Sequence, residues 1–185
     1  GGSINTALQL VCASAAAQGT LSVMEDRHVV EANYSRDYSV PGAECALVGV
    51  YDGHSGTATS QLLQDVLHKR LADDGEALVA NPKARMVQVF RAIDHELVET
   101  AEREGCTKSG STANVLFVRG PSEASNVFTL FCANAGDCRC VLSRGGTALA
   151  MSIDHKPSRP DEATRIAEAG GWVAKGRLHG VLAVS

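Results

Sequence analysis

Three short stretches hold the residues with the clearest chemical potential: Glu25-Asp26, Asp52-Gly53-His54 and Asp137. Carboxylates are hard oxygen donors that suit Mg²⁺ or Mn²⁺, ions that keep several waters and take few protein ligands. A carboxylate shared by two such ions positions a water and lowers its pKa, giving a nucleophile at neutral pH. Gly53 suits this setting because its carbonyl can approach an ion with no side chain in the way. Each piece also has a plain account. Glu25-Asp26 alone reads more readily as a solvated turn, Asp137 equally well as a turn acceptor, and His54 alone as a loop histidine. Asp52-Gly53-His54 resists that treatment, because it follows directly on the buried run Cys45 to Tyr51.

Rival chemistries lack their residues. Gly53-His54-Ser55-Gly56 departs from the G-x-S-x-G nucleophile elbow, and a serine hydrolase built on Ser55 is remote. Lys108 to Thr112 lacks the order of a phosphate loop. The six cysteines, Cys12, Cys45, Cys106, Cys132, Cys138 and Cys140, read as reduced, buried thiols. A zinc set of Cys138, Cys140 and His155 is weak, with no second Cys or His pair to complete it.

The elements that must position these residues follow from periodicity. Cys45–Tyr51 reads as a buried strand, followed by a helix with Ala58, Leu62, Leu63, Val66 and Leu67 on one face. Asn81-Pro82 opens a second helix carrying Met86, Phe90, Ile93, Leu97 and Ala101, with Gly105 as its stop. Beyond it the period becomes strand-like over 111–118, 126–133, 139–142 and 147–151, with a helix over 160–169 and strands over 172–174 and 178–184. Short turns between sequential strands make the pairing antiparallel, so the class is α+β, sheet on sheet with helices outside.

The 185 residues suffice for one domain with a core, and 44% apolar against 21% charged residues excludes wholesale disorder. Aromatics are only 4%, so small aliphatic side chains must fill that core. The net charge of −4, with no more than two adjacent Lys or Arg, argues against nucleic acid and anionic membrane as partners. The first 24 residues are uncharged, but Asn5, Gln9, Ser14, Gln18 and Gly19 are costly in a membrane span, and the stretch lacks the basic opening of a signal peptide. Gly1-Gly2-Ser3 without a Met reads as an artificial or cut start.

Seven stretches carry a family resemblance. Val50 to Gly56 resembles the Asp-Gly-His motif of the metal-dependent protein phosphatase 2C (PPM) family, and Met24-Glu25-Asp26 its early acidic motif. Ser109 to Ala113 and Ala133 to Arg139 are similar to its Ser-Gly-Ser-Thr-Ala strand opening and its Gly-Asp turn. Asp154 to Pro157, Arg165 to Gly171 and Leu182 to Ser185 also match, all in the family's order. The resemblance implies an antiparallel β-sandwich flanked by α-helices, a four-layer αββα fold. It implies two Mn²⁺ or Mg²⁺ ions and hydrolysis of phosphoserine and phosphothreonine in proteins. Carried over, Asp52 bridges the two metals, Glu25 and the Gly53 carbonyl serve one of them, and Asp26 orients the water. His54 protonates the leaving oxygen, and Asp137 serves a third, weaker metal.

Two departures stand out. Leu21 occupies the place of the arginine that grips the substrate phosphate in the family, and Arg27 is no obvious replacement. The family pattern also continues past Ser185 with further aspartate ligands. Residues 1–185 are therefore expected to form a single, incomplete catalytic domain. The protein is expected to be monomeric, cytoplasmic or nuclear, and to act on phosphorylated proteins. The alternative is an inactive pseudophosphatase serving as a protein-binding module.

Overall fold

A computed structural model describes residues 10–42, 44–104, 109–121 and 127–185. Gly1-Gly2-Ser3, Asn5, Gln9, Gly105, Cys106, Lys108 and Asn126 lie outside the described residues. In chain order the elements are β1 (Arg27–Glu31), α1 (Tyr34–Asp37), β2 (Cys45–Tyr51), β3 (Gly53–His54), α2 (Ala58–Ala72), α3 (Gly75–Ala80), α4 (Pro82–Glu104), β4 (Gly110–Ser111), β5 (Ala113–Arg119), β6 (Thr129–Ala135), β7 (Val141–Arg144), β8 (Thr147–Ala150), α5 (Pro160–Glu168), β9 (Val173–Ala174) and β10 (Arg177–Leu178).

Strands β1, β2, β5 and β6 form an antiparallel sheet in that spatial order. Alternation divides its faces. Cys45, Leu47 and Tyr51 of β2 and Ala113, Val115 and Phe117 of β5 point to one side and are buried. Helix α2 covers them with Leu63, Leu67 and Leu71, and α4 with Met86, Val89 and Ile93. Tyr34 of the short α1 closes the cluster, with its hydroxyl donating to the His68 carbonyl. On the other face, residues 138–153 fold back over the sheet. The Cys140 thiol meets Cys132, and Asn134 Nδ2 donates to the Ile153 carbonyl at 3.2 Å. The fold is α+β and antiparallel throughout its paired strands, as expected.

Local chemistry explains the boundaries. Asn81 caps α4, its side-chain oxygen accepting the Ala84 N–H at 3.2 Å, and Pro82 follows in the first turn. Helix α2 turns its face a little from the expected one, because Leu62 is exposed while Thr59, Ser60 and Leu71 are buried. The expected strand 178–184 shrinks to β10 and a single bridge between Leu178 and Leu182. Of the described cysteines only Cys45 is fully buried, and none is in a disulfide.

Tyr51 shows what a core of few aromatics demands. Its ring lies back over Gly49, where an added Cβ would sit 2.5 Å from the hydroxyl and 2.9 Å from Cζ. The hydroxyl is buried without a hydrogen-bond partner among the described residues. Burying a hydroxyl unpaired costs stability, so Tyr51→Phe is expected to stabilise by about 1 kcal/mol. Gly49→Ala is expected to cost about 2 kcal/mol through overpacking. Urea midpoints of the two variants check both signs.

Candidate metal centre

The chain leaves β2 at Asp52, whose backbone is locked to Thr112. Asp52 N–H donates to Thr112 Oγ1 at 3.0 Å, and Thr112 N–H to the Asp52 carbonyl at 2.9 Å. Strand β3 then pairs with β4, Gly53 opposite Ser111 and His54 opposite Gly110. Ser55 (φ 60°) and Gly56 (φ 120°) turn the chain into α2 through left-handed backbone, which costs a serine about 1 kcal/mol. Thr57 makes no side-chain cap at the start of α2. Partners from elsewhere take the orphan donors instead. Gly56 N–H donates to Glu25 Oε1 at 2.6 Å, and Thr59 N–H to Ser109 Oγ at 3.1 Å. The Glu25 carboxylate therefore sits where a helix N-terminus favours negative charge.

Gly53 has a different reason to be glycine from the one expected. An added Cβ would lie 2.5 Å from the Glu25 carbonyl oxygen and 2.7 Å from Ser60 Oγ. Ser60 Oγ donates to that same carbonyl at 2.6 Å. Gly53 is thus needed so that the Glu25 segment can dock on the Asp52 loop, whatever its own carbonyl does.

The carboxylates converge. Asp52 is exposed by area, yet its carboxyl is pushed above the usual range, by desolvation first. The charges of Asp26 and Asp137 and a hydrogen bond with Asp26 push it further, and His54 opposes them. Asp26 and Asp137 therefore lie near enough to Asp52 for their charges to act on it. Among the described residues, no group of three or more His, Cys, Asp or Glu is already spaced to hold an ion. The reason is visible in their partners: Gly56 N–H holds Glu25, Asp52 is hydrogen-bonded with Asp26, and Lys156 Nζ pairs with Asp137 Oδ2. Hard oxygen donors, mutual repulsion and a docked Glu25 fit a divalent cation.

His54 lies against β4, where a Cβ on Gly110 would come within 2.5 Å of Nε2. Leu21 is 70% exposed, and its side chain has no polar group to offer a phosphate. Arg27 does not substitute for the absent arginine. Its Nε donates to Gln61 Oε1, and its Nη1 to the Met24 and Asp26 carbonyls, each at 2.8 Å. The zinc set also fails to assemble, since His155 Nδ1 accepts the Gly136 N–H at 3.1 Å and Cys138 Sγ meets Thr112 Oγ1 at 3.1 Å. Sequence reasoning gave no role to Ser60, Ser109, Thr112 or Lys156. The last three lie inside stretches that carried the resemblance, which was the available signal.

The profile of the family described as Protein phosphatase 2C matches residues 10–185. The chain belongs to the protein phosphatase 2C family. It is 39% identical over 155 residues to "Probable protein phosphatase 2C 11" of Arabidopsis thaliana, covering 82% of this chain and 39% of that protein. A probable protein phosphatase 2C of Caenorhabditis elegans is 36% identical over 172 residues, which is 93% of this chain and 45% of that one. The chain thus spans less than half the length of either relative. Among solved structures, a Caenorhabditis elegans sex determining protein superposes with a TM-score of 0.70 at 25% identity, over 90% of this chain and 40% of that one. A phosphatase from Toxoplasma gondii gives 0.66 at 25% identity, over 90% and 60%. Both fit the observed fold. Among the described residues, no helix is long and apolar enough to cross a membrane.

Proposed function

We propose that this chain contributes to a protein serine/threonine phosphatase acting through two Mn²⁺ or Mg²⁺ ions, with a third, weaker one. The observation that carries the proposal is the crowding of Asp26, Asp52 and Asp137, which raises the Asp52 carboxyl. Such repulsion is relieved by a proton or a cation, and at neutral pH a divalent cation does it better. Bound there, these ions supply charge neutralisation for phosphoryl oxygens and an acidified water.

Asp52 would be shared between two ions, and Glu25 and the Gly53 carbonyl would hold one of them. Asp137 would hold the third. Asp26 would orient the attacking water through its carboxylate. His54 donates a proton from its imidazole to the departing serine or threonine oxygen. The partners proposed are phosphorylated proteins, met by a monomeric single domain in the cytoplasm or nucleus. The thiols of Cys132, Cys138 and Cys140, none in a disulfide, fit a reducing compartment.

The contact between His54 and β4 makes the acid's position testable. Gly110→Ala is expected to push the imidazole aside, lowering turnover about a hundredfold with Mn²⁺ affinity unchanged. A variant that turns over normally removes His54 from this role.

The reading itself is tested by Mn²⁺-dependent release of phosphate from a phosphothreonine peptide. Turnover that requires both Mn²⁺ and Asp52 supports it. One feature favours a second reading, an inactive module that binds proteins: Leu21 carries no charge for a phosphate, and Arg27 is committed to Gln61 and backbone carbonyls. Metal binding without any turnover would select that reading.

A further inference from the structure

We propose that Lys156 is a built-in cation that competes with a divalent metal ion for the carboxylate of Asp137. The inference rests on reading Asp137 as a metal ligand. It adds that this chain's own ammonium group is already paired with Asp137 Oδ2 and opposes an ion that would use the same carboxylate.

The pairing is held from both sides. His155 N–H donates to the Gly136 carbonyl at 2.9 Å, and Gly136 N–H returns to His155 Nδ1 at 3.1 Å. These two bonds clamp the neighbours of Asp137 and Lys156 to each other. Arg139 grips Asp154 with two bonds of 3.0 and 2.8 Å, fixing the strand of chain that leads to Lys156. Gly136 takes φ +103°, and a Cβ there would lie 2.6 Å from Thr112 Cγ2, so the Asp137 turn is seated directly on Thr112. Thr112 in turn holds the Asp52 backbone. Asp137 and Asp52 are therefore registered through one residue, and Lys156 is paired with the carboxylate whose charge acts on Asp52.

The chemistry of lysine suits a removable occupant. Its ammonium is a compact point charge on a flexible stem, without the planar fork that would fix an arginine in place. Lys156 is 41% exposed and Asp137 18%, so the ammonium has water to move into while the carboxylate stays. The ammonium takes Oδ2 and sets a like charge beside any ion that takes Oδ1, so the two cations compete for the charge of one carboxylate. Metal occupancy at Asp137 is weakened by whatever the ion pair is worth, while Asp52 has no such competitor among the described residues.

The test is calorimetric titration of Mn²⁺ into the purified chain, its Lys156→Met and Lys156→Arg variants, and Asp137→Asn. Lys156→Met is expected to tighten the weakest binding event about fivefold, the scale of a partly exposed ion pair. Lys156→Arg, which keeps the cation, should follow the parent. Asp137→Asn should remove the gain when combined with Lys156→Met. A Lys156→Met isotherm superimposable on the parent overturns the competition. Should that variant fold poorly, acetylation of Lys156 in the unmodified chain, read by mass spectrometry, decides. Mn²⁺ should speed it about threefold by freeing the amine, and an unchanged rate overturns the proposal. An Asp52→Asn arm separates the two failures. If it loses the strong event while Lys156→Met changes nothing, only the competition is wrong. If it loses nothing, the metal centre itself is wrong and the competition falls with it.

Discussion

Asp52→Asn is expected to abolish tight Mn²⁺ binding and, in the same protein without metal, to raise the melting temperature. The two effects have one cause. The Asp52 carboxyl is raised above its ordinary range by desolvation, by the charges of Asp26 and Asp137 and by a hydrogen bond with Asp26. A carboxyl whose folded pKa lies above its unfolded value favours the fold only while protonated. That contribution is full below the unfolded value and is lost as pH rises through the folded one. At pH 7 the ionised Asp52 therefore works against the fold, and an uncharged isostere relieves it. Solvent screens this exposed group, so the expected gain is small, about 2 °C at pH 7 and vanishing near pH 4. The binding loss is large, at least about a hundredfold, because a shared ligand is removed. Melting curves at both pH values and a Mn²⁺ titration check the pair. A melting temperature that falls at pH 7 would mean that Asp52 is a structural residue.

Gly53→Ala is expected to be among the most damaging single methyl groups at the described glycines. Its Cβ would meet the Glu25 backbone oxygen at 2.5 Å and Ser60 Oγ at 2.7 Å, and a backbone atom cannot swing away. Gly110→Ala makes a comparably close approach, but to an imidazole that can rotate. Overpacking against backbone should cost about 3 kcal/mol in urea unfolding. The displaced Glu25 should also weaken Mn²⁺ binding, because its carboxylate is placed by Gly56 N–H and its carbonyl by Ser60. Stability and affinity both equal to the parent would show that Glu25 does not depend on this packing.

How legible the molecule was depends on how local its causes are. Asp52-Gly53-His54 stood out because β2 is a run of apolar residues that ends abruptly, and burial of such a run follows from composition alone. The start of α4 was equally plain, since Asn81 and Pro82 act within one turn. Strand β1 escaped notice because all five of its residues are half-buried, leaving no alternation to read. The short α1 is held by Tyr34, whose value lies in reaching the carbonyl of His68, 34 residues away. The carboxylates were identified by type and their convergence expected, but their present partners were not. Lys156 reaches Asp137 only because residues 136 and 155 clasp each other across 19 positions. Gly53 was read as an open approach for an ion, whereas its requirement comes from Glu25 and Ser60, brought in from elsewhere in the chain.

The most direct measurement of the carboxylate cleft is the broadening of amide NMR signals by substoichiometric Mn²⁺. The expected result is early loss of the signals of Asp26, Asp52, Gly53 and Asp137, with those of α3 remaining sharp. Helix α3 serves as the reference because Arg119 Nη1 ties it, through the Val79 carbonyl at 2.9 Å, to the far end of β5. At about 3.3 Å per residue, that end lies roughly 20 Å from Ala113 and the cleft. Broadening that is uniform along the chain, or centred away from Asp52, would contradict a divalent-cation site at these residues.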